Sequence, residues 1–235
     1  MPTSLPPDAP ILVLATPGET SGVAEEIAAV VRVDNPQIEV RLTSVTGLAD
    51  SLPSGREAVV VPLLTWEDPV VMAEIGKAVA ATGAGVVVTE ALGPHPLLAE
   101  ALHIRLAERG LARADRVRLL NVSSPVDAVI LGTVGGERAV RAMQATAVLL
   151  ASRLTLPVVA ASLDTEPGVS VAAQRLRAAG AQRLAIAPCV IGHEAPAGTV
   201  ERAAAQIDAG HAAPLGAHGA VAELVARAYG SQLAT

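Results

Sequence analysis

Aromatic side chains are nearly absent from this sequence. Its 235 residues include one Trp, one Tyr and no Phe, although 51% are hydrophobic. The core must therefore be aliphatic, built of Ala, Val, Leu and Ile, and an aromatic row for stacking nucleic-acid bases is excluded. A basic stripe is also missing. Lys and Arg number 17 against 23 Asp and Glu, the net charge is −6 and the signs are interspersed, so nucleic acid is not an expected partner. The single cysteine, Cys189, excludes an internal disulfide framework and a Cys-x-x-Cys metal knuckle. No apolar run reaches the ~18 residues needed to span a bilayer. The start, MPTSLPPDAP, lacks the basic and apolar regions of a signal peptide. These absences predict a soluble, cytoplasmic protein with no membrane contact.

What is present is a regular alternation. ILVLA (11–15), IEVRLTSV (38–45), AVVVPLL (58–64) and GVVVTEA (85–91) read as strands. Between and after them, GVAEEIAAVVRV (22–33), VVMAEIGKAVAAT (70–82) and PLLAEALHIRLAERG (96–110) have helical spacing. Apolar runs on both faces of the strands indicate a parallel sheet covered by helices, an α/β architecture.

The order then recurs. AVILGT (128–133) answers ILVLAT, and a single helix is expected over 138–154. LPVVAASL (156–163) answers IEVRLTSV, and RLAIAPCVIG (183–192) answers AVVVPLLTW with Pro188 in the place of Pro62. ALGPHPLLAEAL (91–102) answers PLGAHGAVAELV (214–225), each a strand end, Leu-Gly, a small residue, His and an amphipathic helix. The chain reads as two tandem flavodoxin-like domains, 1–115 and 116–235, with NVSSPVD (121–127) leading into the second. A pseudo-twofold pair would place a cleft between the C-terminal strand edges of both halves.

Residues at those strand ends are the candidate site. The first half offers Thr16, Pro17 and Gly18, then Trp66, Glu67 and Asp68; the second offers Thr133, Gly135 and Gly136, then His193 and Glu194. Glu67 is five residues past Pro62 and His193 five past Pro188, so the two are pseudo-equivalent. Gly135-Gly136 could cradle an anion at a helix start, with Arg138 and Arg202 as further anion contacts. GTVGGE lacks the GxGxxG spacing, and no organic cofactor is expected. His95 and His218, in the repeated Gly-x-His, could bond a helix start or a ligand. His103 inside its helix and His211 in a loop read as surface residues, and Cys189 as a small buried hydrophobe.

The tandem layout, LGPHPLLAEAL with its echo PLGAHGAVAELV, and the VVVPLL strand resemble the class II chelatases of the sirohydrochlorin cobalto/ferrochelatase type. The resemblance implies two chelatase-like domains, a monomer or homodimer, and insertion of Fe2+ or Co2+, as substrate, into a carboxylate-rich tetrapyrrole in siroheme or cobalamin biosynthesis. Such enzymes carry Ala-His-Gly-Ser/Thr after the first strand and a Gly-Tyr-His segment, with an acidic residue four positions on, after the third. Here the first strand runs into Ala15-Thr16-Pro17-Gly18, so Thr16 stands in the place of one histidine. Val70 stands in the place of the other, while Glu74 keeps the acidic position.

Metallation needs ligands with open coordination positions and a base for the pyrrole protons. Neutral imidazole serves both needs near neutral pH, whereas Thr and Val serve neither. A substitute set of Glu67, Asp68, His193 and Glu194 would be a mixed O/N metal site, with Glu67, His193 and Glu74 as catalytic candidates and Thr16, Gly18, Trp66, Thr133, Gly135 and Gly136 against the macrocycle. Equally, Glu67 and Asp68 could be the polar first turn of the helix beginning near Pro69. Three readings stay open: a chelatase with a shifted metal site, a silent relative that binds, carries or regulates a tetrapyrrole, and an assembly subunit with no ligand.

Overall fold

The computed structural model describes residues 9–20, 22–52, 55–82, 85–113 and 124–233. The Pro-rich start and the beginning of the NVSSPVD stretch lie outside them. The described residues form two parallel four-stranded sheets, which share one topology. In the first, β1 (Ile11–Thr16) lies between β2 (Val40–Ser44) and β3 (Ala58–Pro62), and β4 (Val86–Val88) is the outer neighbour of β3. The second runs β6 (Val158–Ser162), β5 (Ala128–Thr133), β7 (Leu184–Pro188), β8 (Gly210–His211). Even the register is repeated. Ala15 is opposite Pro62 and Gly132 opposite Pro188, so counting from the two prolines compares equivalent strand ends.

Strand burial explains why these segments are central. All six residues of β1 and all six of β5 are buried, as expected of a strand covered on both faces. Ile11, Val13 and Ala15 share a cluster with Ala58, Val60 and Ile75. Leu12 and Leu14, on the other face by strand alternation, are equally buried. In the second sheet Ala128, Ile130, Leu184 and Ile186 pack with Val169, Ala172, Ala173 and Leu176 of α7 (Val169–Ala178) and Ala203 and Ala204 of α8 (Thr199–Gln206).

The compact units cut across the sequence repeat. One is built from the chain up to Gly93 together with everything from Gly216 onward, and the other from Pro94 to Leu215. The division expected at 115/116 is drawn from the sequence repeat; relative to it, α4 (Pro96–Glu108) and α9 (Gly219–Gln232) are exchanged between the compact units. Thus α9 packs against α1 (Gly22–Asp34) and β3, and α4 packs against α6 (Gln144–Leu154) and β7. The chain passes between units at the two Leu-Gly-x-His stretches. In each, the histidine is an N-cap: Nδ1 of His95 accepts from Leu97 N–H and Nδ1 of His218 from Ala220 N–H, both at 3.1 Å.

Several expectations are corrected. The helix expected over 138–154 is two, α5 (Gly136–Ala142) and α6, with Met143 between them. The break is shallow, because Met143 N–H still bonds Ala139 O and Ala147 N–H still bonds Met143 O. His103 is buried, not on the surface, and His211 lies in β8, not in a loop. Helices α2 (Leu48–Ser51), α7 and α8 have no counterpart among the sequence-based expectations.

A carboxylate pins the start of β5. Asp127 accepts from the Arg183 side chain at 2.8 Å and from the backbone N–H of Gln182 and Arg183. The adjoining Arg183 guanidinium, helped by those N–H groups, holds its carboxyl down to about 2. A depressed folded-state value means that the stabilisation is complete above the unfolded carboxylate range and fades as pH falls toward about 2. Asp127→Asn should lower the unfolding midpoint at neutral pH, and its difference from the parent should shrink steadily on acidification. A difference independent of pH would refute this.

Candidate functional site

In both sheets the chain leaves the central strand toward one side and returns on the other, so β1/β3 and β5/β7 are topological switch points. The crevice beyond the carboxyl ends of such strands is where ligands bind in open α/β sheets. Every strand-end residue singled out from sequence lies at these positions. Each unit presents its own set.

In the first unit, β1 ends at Thr16, which is fully buried; its hydroxyl donates to Gly18 O at 2.8 Å and so shapes the turn. Beyond β3 the chain stays inside: Leu63, Leu64, Thr65 and Trp66 are all buried, with the indole 7% exposed. Glu67 is the first exposed side chain. Asp68 is the N-cap of α3 (Pro69–Ala80), Oδ1 accepting from Val70 N–H at 2.8 Å and Val71 N–H at 3.3 Å, with Pro69 in the first turn. An Asp cap followed by Pro is a favoured helix start, and the cap is worth ~1 kcal/mol. Val70 and Glu74 are exposed on α3.

In the second unit Thr133 is fully buried at the end of β5. Gly135 and Gly136 both have positive φ, 107° and 65°. A Cβ on Gly136 would come within 3.0 Å of Thr165 Oγ1. The N–H of Gly135 donates to Asp164 Oδ1 at 3.4 Å, so the expected anion cradle faces a carboxylate of the protein itself. Asp164 is in turn held by the hydroxyl of Ser162 at 2.5 Å. Arg202 is turned onto its own helix start, donating to Thr199 Oγ1 at 2.9 Å, and Arg138 is exposed.

The loop after β7 is tied by a carboxylate. Glu194 places one carboxylate oxygen on Ile191 N–H at 2.9 Å and the other on Gly192 N–H at 2.8 Å. His193 lies beside it with its side chain 2% exposed and Nε2 4.0 Å from Glu194 Oε2. Cys189 is fully buried, as a small hydrophobe. Sequence reasoning missed Ser162, Asp164, Thr165 and Glu166, which with Gly168 and Gln206 line a polar cleft of about 250 Å³ beyond β6. The signal was Asp-Thr-Glu-Pro-Gly directly after a strand.

The carboxylates are therefore used locally. Asp68 and Glu194 bind backbone N–H groups, and among the described residues no three His, Cys, Asp or Glu side chains gather as a set that could hold a metal ion. Also among the described residues, no helix is long and apolar enough to cross a membrane.

Comparison with solved structures bears on this architecture. The sirohydrochlorin chelatase SirB from Bacillus subtilis subspecies spizizenii, in complex with cobalt, superposes with a TM-score of 0.68 over 96% of both chains at 13% identity. CbiX, the terminal enzyme for biosynthesis of siroheme in denitrifying bacteria, gives 0.66 at 17% identity, over 94% of this chain and 98% of its own. This chain has the sirohydrochlorin chelatase fold. Both chelatase structures are covered almost end to end, so the tandem arrangement of two parallel sheets with flanking helices is shared throughout. No family model matches the sequence, and no curated protein does.

Proposed function

We propose that this protein handles a carboxylate-rich tetrapyrrole of the sirohydrochlorin type, and that its reaction is insertion of a divalent metal substrate, Fe2+ or Co2+. The observation that carries the reading is the near-complete match of the duplicated fold to two sirohydrochlorin chelatases. In this reading the strand-end residues of both sheets, Thr16, Gly18, Trp66, Thr133, Gly135 and Gly136, border the macrocycle. With Thr16 and Val70 in the places of imidazoles, proton removal and metal delivery pass to Glu67, His193 and Glu74. Asp68 and Glu194 shape the loops that carry them.

The test is an absorbance assay of sirohydrochlorin with Fe2+ or Co2+. Metallation is expected to run faster than in a protein-free control and to fall by about tenfold or more in Glu67→Gln and His193→Ala, the loss of a positioned base or ligand. Asp68→Asn separates capping from ligation, because Asn caps a helix as well as Asp does but offers no anionic oxygen. Unaltered turnover in Asp68→Asn fits the cap. No acceleration over the control would overturn insertion as the activity.

A second reading, binding or carriage of the tetrapyrrole without insertion, is favoured by the engagement of Asp68 and Glu194 with backbone N–H groups. It predicts a saturable change in the sirohydrochlorin spectrum with no metallation above the control rate.

A further inference from the structure

The outer edge of the first sheet is open. Among the described residues, only β3 and α3 pack substantially on β4, and no strand lies beyond it. Successive residues of a strand turn their backbone groups to opposite sides. Gly85 O accepts from Ala58 N–H at 3.0 Å and Thr89 N–H donates to Val60 O at 2.9 Å, so residues 85, 87 and 89 are the ones that bond β3. The N–H and C=O groups of Val86 and Val88 therefore point away from the sheet.

Edge strands are commonly guarded by charge, proline, a bulge or extreme brevity. The equivalent edge of the second sheet, β8, is only Gly210 and His211. Pairing of β4 with β3 instead runs from Gly85 to Thr89 through three consecutive valines, with no charge and no proline. The surroundings of β4 are also less covered than those of its counterpart. In α8, Thr199, Val200, Ala203 and Ala204 are buried, whereas in the longer α3 only Ile75 is. Val71, Met72, Ala78 and Val79 of α3 are left half-buried, with Val86 and Val88, at the flank of their cluster. Val87, on the other face of the sheet, is 46% exposed.

We infer that this edge is the interface of a homodimer, in which β4 pairs antiparallel with β4 of a second copy of the chain about a twofold axis at Val87. The edge is self-complementary under that operation. Val86 falls opposite Val88 of the second copy, and since both carry outward N–H and C=O groups, each such pair closes two hydrogen bonds. Val87 meets its own copy at the intervening position, where facing side chains come closest. Charge favours the same occupant. α3 runs antiparallel to β4 and carries Lys77, the only lysine of the chain, in its last turn, toward the Gly85 end of the strand. The twofold brings Glu90 of the second copy to that end. Both side chains are exposed, and neither is in an ion pair among the described residues. The inference is independent of the tetrapyrrole reading.

Sedimentation velocity of the full chain is expected to show a dimer at ~50 μM, where a pair with a dissociation constant of ~1 μM is mostly associated. Val87→Lys sets two ammonium groups directly opposite each other, and Val88→Pro removes an outward donor while sparing the bonds to β3. Each should raise the dissociation constant at least about tenfold with an unchanged circular dichroism spectrum. Val87→Cys, mildly oxidised, should give a disulfide-linked dimer, because facing residues of this type lie within the ~4.4–6.8 Å Cα separation of disulfides. Cys189 is fully buried and takes no part. A parent that sediments as a monomer at ~50 μM overturns the interface. So does a dimer that both substitutions leave intact, or one that Val87→Cys does not link. If Val88→Pro fails to fold, the exposed Val87→Lys and the crosslink still decide.

Discussion

Glu194→Ala is expected to destabilise the unit spanning 94–215 by about 3 kcal/mol, the scale set by withdrawing a charged acceptor from two backbone N–H groups at roughly 1.5–3 kcal/mol each. The carboxylate is 8% exposed and both oxygens are used, on Ile191 and Gly192. Water has little access to replace them. Glu194→Gln keeps one acceptor and presents an N–H to the other donor, so it should recover only part of the loss. Urea unfolding followed by circular dichroism measures both. A change below about 1 kcal/mol in Glu194→Ala would show that the loop is held by something else, because single hydrogen bonds are of that size. In the proposed metallation the same substitution releases His193, and turnover should fall with stability in the alanine variant and recover in part with glutamine.

Tyr229→Ala should be as damaging to the other unit. The only tyrosine in the chain is fully buried in α9, and its hydroxyl donates to Pro10 O at 2.7 Å, 219 residues away in sequence. Truncating it should cost about 3–5 kcal/mol, the range for large buried side chains. Tyr229→Phe keeps the ring and leaves the Pro10 carbonyl without this donor, so about 1–3 kcal/mol is expected. Burial pushes the phenol above its ordinary value. A raised value favours the neutral form in the folded state, so this contribution is intact below about pH 10 and is lost as pH rises beyond it. The phenolate spectrum reports this group alone. An alkaline loss of stability seen equally in Tyr229→Phe would refute the assignment.

The sheets were legible because buried parallel strands write themselves as short aliphatic runs, and the duplication because two such sets share Pro62 and Pro188 at matching positions. The start of α3 was legible too, since Asp68 followed by Pro69 is a local signal that needs no partner elsewhere. The exchange of α4 and α9 was not, because an apolar helix face does not specify which of two similar sheets it covers. His103 was misjudged for the same reason: its neighbours Arg113 and Arg153 are 10 and 50 residues away. In α7 the spacing of Val169, Ala172, Ala173 and Leu176 is a clear helical stripe that the strand-to-strand comparison of the repeats passes over. At the candidate site, residue types were readable but their employment was not. A carboxylate that ligates metal and one that binds N–H groups are the same letter.

Because α4 and α9 trade places, the midpoint of the polypeptide is not a place where it can be divided into self-sufficient parts. Either fragment alone would carry a bare sheet face and a stranded helix, each a sticky apolar surface. Supplied together, the fragments hold the pieces each other needs, so split halves of this chain are matched for reassembly by complementation and poorly suited to independent life.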